Sequence, residues 1–222
     1  MVRKGMSRPR RQALKEQRHD QVREEILEAT MSVLLRKGPG GFTLNAVARE
    51  LQLTKAALYY YFDSKETLLF ELIYRGLDRQ TQTVGDAVEA TDTGADALKA
   101  MIRATAGYYG ARMDELRLTY MMPQADSAGS MSMTDERFER LRPFNDRIFG
   151  AVAERIEADQ EAGRIPGHVP ARRLAFVAHT SVLGMLLMEG LVESVDDPLL
   201  HARPAMVDEL VRAFHARLRP GG

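Results

Sequence analysis

Apolar residues recur every three or four positions along most of this chain, and no stretch reads as a strand. Val22, Ile26, Ala29 and Val33 share one face and predict a helix over 21–35. Arg36 and Lys37 suit its carbonyl end, and Gly38-Pro39-Gly40-Gly41 stops it. Two short helices follow. Thr43 caps one over 44–51, and Thr54 caps another over 55–62 after a tight break at Gln52 and Leu53. Asp63 and Glu66 have the spacing of a capping box opening a long helix through Leu68, Leu69, Leu72, Ile73 and Leu77. Further helices are expected over 95–109, 114–121, 134–162 (bent near Pro143), 171–192 and 205–218. Residues 123–133 and 163–170 read as loops, and Asp196-Asp197-Pro198 separates the last two helices. The expected fold is all-α.

Three short capped helices with a tight break describe a helix-turn-helix unit of the three-helix, homeodomain-like kind. Its third helix holds Tyr59, Tyr60, Tyr61 and Phe62 in a row. Successive helical residues lie about 100° apart, so four rings cannot share one face. Leu58 and Phe62 are expected in a small core with Val47, Leu51 and Leu53. Lys55, Ala56, Tyr59 and Tyr60 then face outward. A short helix with this outer face fits a DNA major groove. The lysine can meet a guanine edge or phosphate, the phenols phosphate or a thymine methyl, and the alanine permits close approach. Thr43, Asn45, Ser64 and Lys65 begin neighbouring helices, where backbone N–H groups favour anions. The plain alternative is a helical hairpin with a semi-exposed tyrosine face.

Charge sharpens this picture. The chain is formally neutral, yet residues 1–65 hold thirteen Lys/Arg and seven Asp/Glu, a net +6, leaving −6 for the remainder. Such asymmetry fits a polyanion-facing module joined to something else. Residues 1–18 are expected as a flexible basic arm carrying Arg3, Lys4, Arg8, Arg10 and Arg11, either tracking phosphates or simply solvated. The absence of cysteine excludes disulfides, thiolate metal sites and cysteine nucleophiles. No apolar run predicts a membrane span and no secretory signal is evident, so the expected location is cytoplasmic.

The stretch FTLNAVARELQLTKAALYYYFDSKETLL resembles the signature of the tetracycline-repressor (TetR) family of bacterial transcription regulators. The resemblance covers 22–73. It implies a helix-turn-helix domain over 19–65 and a ligand-binding and dimerisation domain over 66–222. It places Thr43, Asn45, Lys55, Ala56, Tyr59, Tyr60, Tyr61 and Lys65 at DNA-facing positions. Family members often have histidine where Tyr61 stands, so a phosphate contact there would come from the phenol.

The longer part carries no signature of its own. Its last helices have apolar stripes, Leu174, Val177, Leu183, Leu186 and Leu187, then Val207, Leu210, Val211, Phe214 and Leu218. These make either an intramolecular core or a four-helix homodimer interface through 171–192 and 205–218. Met101, Tyr108, Tyr109, Met113, Tyr120, Phe138, Phe144, His179 and Met185 are candidate lining of an apolar effector pocket with polar handles, or ordinary core. No histidine pair has ligand spacing, so neither a metal nor a cofactor is expected. The reading is a dimeric regulator, a repressor of a palindromic double-stranded DNA operator released by a small, largely apolar molecule. The competitors are an all-α enzyme, for which no acid–base–nucleophile spacing is seen, and a helical interaction module whose basic arm binds an acidic protein.

Overall fold

The computed structural model describes residues 8–120, 134–192 and 201–219. Every regular element among them is helical: α1 Arg8–Gly41, α2 Leu44–Glu50, α3 Lys55–Tyr61, α4 Lys65–Glu89, α5 Gly94–Gly110, α6 Met113–Tyr120, α7 Asp135–Asn145, a π turn Asp146–Gly150, α8 Ala151–Glu161, α9 Ala171–Val192 and α10 Arg203–Ala216. No described helix is long and apolar enough to cross a membrane. The expected loop over 123–133 and the Asp196-Asp197-Pro198 break lie outside the described residues.

The chain divides into two units at Ile73 and Tyr74, inside α4. This is eight residues beyond the boundary expected at 65/66, because the first turns of α4 supply core to the first unit. Leu68, Leu69, Phe70, Leu72 and Ile73 are all buried. In that unit Ile26, Val33, Val47, Leu58 and Phe62 are buried as the periodicity demands, while Leu51 and Leu53 are half-buried.

Two local readings are corrected. The basic segment expected as a flexible arm is helical from Arg8. Residues 12–18 are QALKEQR, mostly strong helix formers, and bonds from Gln12 to Glu16 (2.8 Å) and Gln21 to Glu25 (3.1 Å) brace successive turns. Basic composition had suggested disorder where propensity favours helix. The helix breaks where the glycines are, with Gly38 at φ 68°. The second correction concerns α4, whose cap is Ser64 and not Asp63. Ser64 Oγ accepts from the Thr67 backbone N–H at 3.0 Å.

The break between α2 and α3 closes through Leu53 N–H to Ala48 C=O at 2.8 Å, with Gln52 at φ 55°. That is the left-handed region, costing an L-residue about 1–2 kcal/mol. Glycine there loses about 0.5–1 kcal/mol of that gain to backbone entropy. Gln52→Gly is therefore expected to stabilise the protein by roughly 0.5–1 kcal/mol, read as a higher urea midpoint at unchanged m-value.

In the second unit α5 packs against α8, α9 and α10. Gly94 opens α5 because a Cβ there would lie 2.6 Å from the Ile156 Cα. Buried Asp159 accepts from the Gly94 N–H (2.8 Å) and from Arg164 (2.9 Å), fixing the end of α8 to the start of α5. The helix expected over 134–162 runs without a break from Asp135 to Glu161, and its irregularity just after Pro143 is the π turn Asp146–Gly150 that joins α7 to α8.

The apolar stripes of the last helices fall mostly inside the subunit. Leu174, Leu183, Leu186, Val207, Val211 and Leu218 are buried in its core, and Leu187, Leu210 and Phe214 pack against it. Among the described side chains of α9, the large apolar ones left outside are Phe176, Val177 and Met188, 53%, 45% and 55% exposed. Of the two named stripes, Val177 alone sits on this outer row. Periodicity marks a buried stripe without saying which of two apolar faces finds its partner inside the chain.

Candidate nucleic-acid interface and effector core

The outward face of the first unit is built by two caps and two anchors. Thr43 Oγ1 accepts from the Ala46 N–H (3.2 Å) and starts α2; Thr54 Oγ1 accepts from the Ala57 N–H (3.1 Å) and starts α3. Leu58 and Phe62, 1% and 2% exposed, pin α3 to its domain. The 3.6-residue period then turns Lys55, Ala56, Tyr59 and Tyr60 to solvent, and all four are exposed. Tyr60 is 74% exposed, which no packing role requires. The Lys55 ammonium lies 5.6 Å from the Tyr59 ring centroid, so cation and phenol form one patch.

Thr43 and Asn45 are exposed at the start of α2. Lys65 is half-buried at the start of α4, with its ammonium 5.2 Å from the Phe42 ring centroid. Tyr61 is half-buried too. Its carbonyl accepts from Arg23 at 2.5 Å, and its ring lies 5.0 Å from that of His19. His19 also meets the edge of Tyr60 at 6.1 Å. Sequence reading missed His19 and Arg23, whose guanidinium stacks 4.3 Å over the Phe62 ring. A helix continued back to Arg8 was the signal that would have brought His19 beside the tyrosines.

The effector candidates distribute unevenly. Met101, Tyr108 and Tyr109 lie in the core around α5, with Met113, Tyr120 and Met185 packed against it. The Tyr109 ring makes edge contacts with Tyr108 (5.1 Å) and Tyr120 (5.9 Å), and burial raises the pKa of all three phenols. Tyr108 donates to Glu115 at 3.0 Å, and Arg79 donates to the same carboxylate at 2.9 Å. Glu115 is only 8% exposed, so these two donors offset the cost of burying its charge. Phe138 and Phe144 are not brought into this cluster. Phe138 is 52% exposed on α7, and Phe144 lies against Tyr74 at 5.0 Å. Three polar atoms that the sequence did not single out are buried without a hydrogen-bond partner among the described residues: Gln80 Nε2, Thr81 Oγ1 and Thr119 Oγ1. Such groups cost about 1–3 kcal/mol each and are places where a polar guest gains most.

His179 is buried on α9, with Nδ1 3.3 Å from the Thr105 hydroxyl and its ring 5.3 Å from that of Phe149. Burial lowers its pKa from 6.5 to about 4. The unfolded chain therefore binds a proton near pH 6.5 that the folded chain refuses until about pH 4. Stability from this residue is complete above pH 6.5 and declines as pH falls toward 4, by about 3 kcal/mol in total. Replacing His179 by Leu is expected to flatten the urea-midpoint profile across that window.

Residues 26–72 match the family described as bacterial regulatory proteins, tetR family. An HTH-type transcriptional regulator of Mycobacterium tuberculosis is 32% identical over 91 residues, 40% of this chain and 39% of that protein. The present chain thus aligns with about two fifths of that relative's length. The negative regulator of the biofilm operon icaADBC of Staphylococcus aureus, IcaR, is 34% identical over 47 residues, 21% of this chain and 25% of that protein. The FadR transcriptional regulator of Bacillus subtilis, solved with stearoyl-CoA, shares the fold with a TM-score of 0.63 at 12% identity, covering 88% of this chain and 99% of that one. The helix-turn-helix geometry and the matched segment agree: residues 26–72 form a DNA-binding-type domain similar to those of the tetR family of bacterial regulatory proteins, in a chain whose all-helical fold is shared with a solved transcriptional regulator.

Proposed function

We propose that this protein is a ligand-responsive repressor that binds a partly palindromic DNA site as a homodimer. The observation that carries the reading is the solvent-facing row Lys55, Ala56, Tyr59 and Tyr60, on a short helix held from behind by buried Leu58 and Phe62. This helix enters the major groove. Thr43, Asn45, Tyr61 and Lys65 hold flanking phosphates or base edges, and so set its register. The repressor sense is supported by the negative regulator among the relatives.

Two heads are needed to read two half-sites, and the outer face of α9 suits the contact between copies. Phe176, Val177, Thr180, Gly184 and Met188 follow one another at helical spacing and are exposed. A two-fold axis would set this row against its own copy, with α10 alongside.

The effector is a small, mainly apolar molecule held around α5 in the second unit. Met101, Met113 and Met185 give adaptable apolar walls. Tyr108, Tyr109, Tyr120 and His179, with the unsatisfied Gln80 and Thr119, give polar handles. The FadR structure holding stearoyl-CoA supports an apolar ligand in a fold of this kind. A ligand that prefers one arrangement of the heads releases DNA by its differential affinity for the two states. Retention of genomic fragments over random duplexes tests the reading; equal retention of both contradicts it.

A further inference from the structure

We propose that the amino-terminal third of α1 is a second DNA-contacting element, a rigid helical edge that follows the phosphate backbone beside α3. The proposal rests on the regulator reading and extends its interface beyond the helix-turn-helix.

The helical register makes the case. Along α1, Ile26 is fully buried and Val22 half-buried on the side that faces the domain. Stepping back along that side at about 100° per residue reaches His19, Arg18, Lys15, Arg11 and Arg8. All five positions fall within an arc of about 100°, and no acidic residue from 8 to 19 lies in it. The stripe that is apolar where α1 packs on its own domain becomes basic where packing ends. Residues 12–18 are all exposed, so protein contacts do not hold this segment.

Its relation to the recognition helix is fixed at one point. His19, at the end of the basic stripe, lies 5.0 Å from the Tyr61 ring and 6.1 Å from the Tyr60 ring. Lys15 and Arg18, exposed on the stripe that ends at His19, thus continue the surface on which Lys55, Tyr59 and Tyr60 stand. A duplex whose major groove holds α3 carries a phosphate strand past this edge. A helix keeps the charges in register with that strand at less entropic cost than a flexible arm. Contacts of this kind add affinity without reading sequence.

The test compares Lys15→Gln/Arg18→Gln with wild-type protein, on a genomic fragment that wild type retains and on a random duplex of equal length, over a salt series. Glutamine keeps the helix. The expected result is a shallower dependence of log affinity on log salt, by about 0.9 for each phosphate contact removed and so by about 2, on both duplexes alike. Arg142→Gln/Arg212→Gln, which removes two exposed charges from the second unit, is expected to leave the slope as it was. An unchanged slope in the α1 variant, an equal change in the second-unit variant, or a loss confined to the genomic fragment overturns the proposal. If wild type retains no fragment over random DNA, the regulator reading falls and this inference with it.

Discussion

Replacing Lys55 and Tyr59 together by alanine is expected to abolish sequence-specific DNA binding in a protein that still folds. Both side chains are exposed, whereas Leu58 and Phe62, which anchor the helix, are buried and untouched by the change. The fold loses no core side chain, and with Tyr59 43% exposed the partly covered area given up should cost no more than about 1 kcal/mol of stability. A well-made base contact contributes about 1–3 kcal/mol of discrimination. Two such contacts in each of two heads amount to several kcal/mol, so the preference for the genomic site should fall at least about 100-fold. Weak binding to random DNA should survive, because the other cations of the first unit remain. A titration of both duplexes by fluorescence anisotropy checks this. Loss of binding to both, with an altered melting curve, would mean that the two residues hold the domain together.

The pair Val177→Asp/Met188→Asp is expected to turn a dimer into monomers. These side chains are 45% and 55% exposed on the outer row of α9. In the separate subunit they tolerate water, so the fold should persist. Across a two-fold axis the same changes set carboxylates against their own copies and leave them desolvated. Losing two central apolar contacts of about 2 kcal/mol each raises the dissociation constant by roughly 1,000-fold, before any repulsion. Sedimentation velocity reads the outcome directly. DNA affinity should fall with it, since one head binds one half-site. Leu183 and Leu186 make poor test sites, because they are buried within the subunit and their loss would unfold it.

The helix-turn-helix was legible because local chemistry decides it. Thr43 and Thr54 cap the helices that their types and positions predict, and Leu58 and Phe62 fall inside by period alone. The start of α1 was not legible, since arginines that look like a tail are also good helix formers. The cap of α4 slipped by one residue because Asp63 and Ser64 are both acceptable acceptors, and only Ser64 reaches the Thr67 N–H. In the longer unit, candidate residues that meet around α5 come from distant parts of the sequence, Met101 and Met185 being 84 positions apart. Composition named most of that cluster but not its boundary, so Phe138 and Phe144 were drawn in by type alone. Gln80 and Thr119 stayed invisible because a polar residue without a partner looks ordinary until its burial is known.

Footprinting on a genomic fragment retained by the full chain tests the central claim most directly. Two protected major-groove segments are predicted, related by approximate dyad symmetry and centred about one helical turn, or a multiple of it, apart. Guanine or thymine positions within each should lose protection in Lys55→Ala/Tyr59→Ala. A folded full-length protein that retains no fragment over random DNA, or whose protected bases are unmoved by that double substitution, would contradict the account.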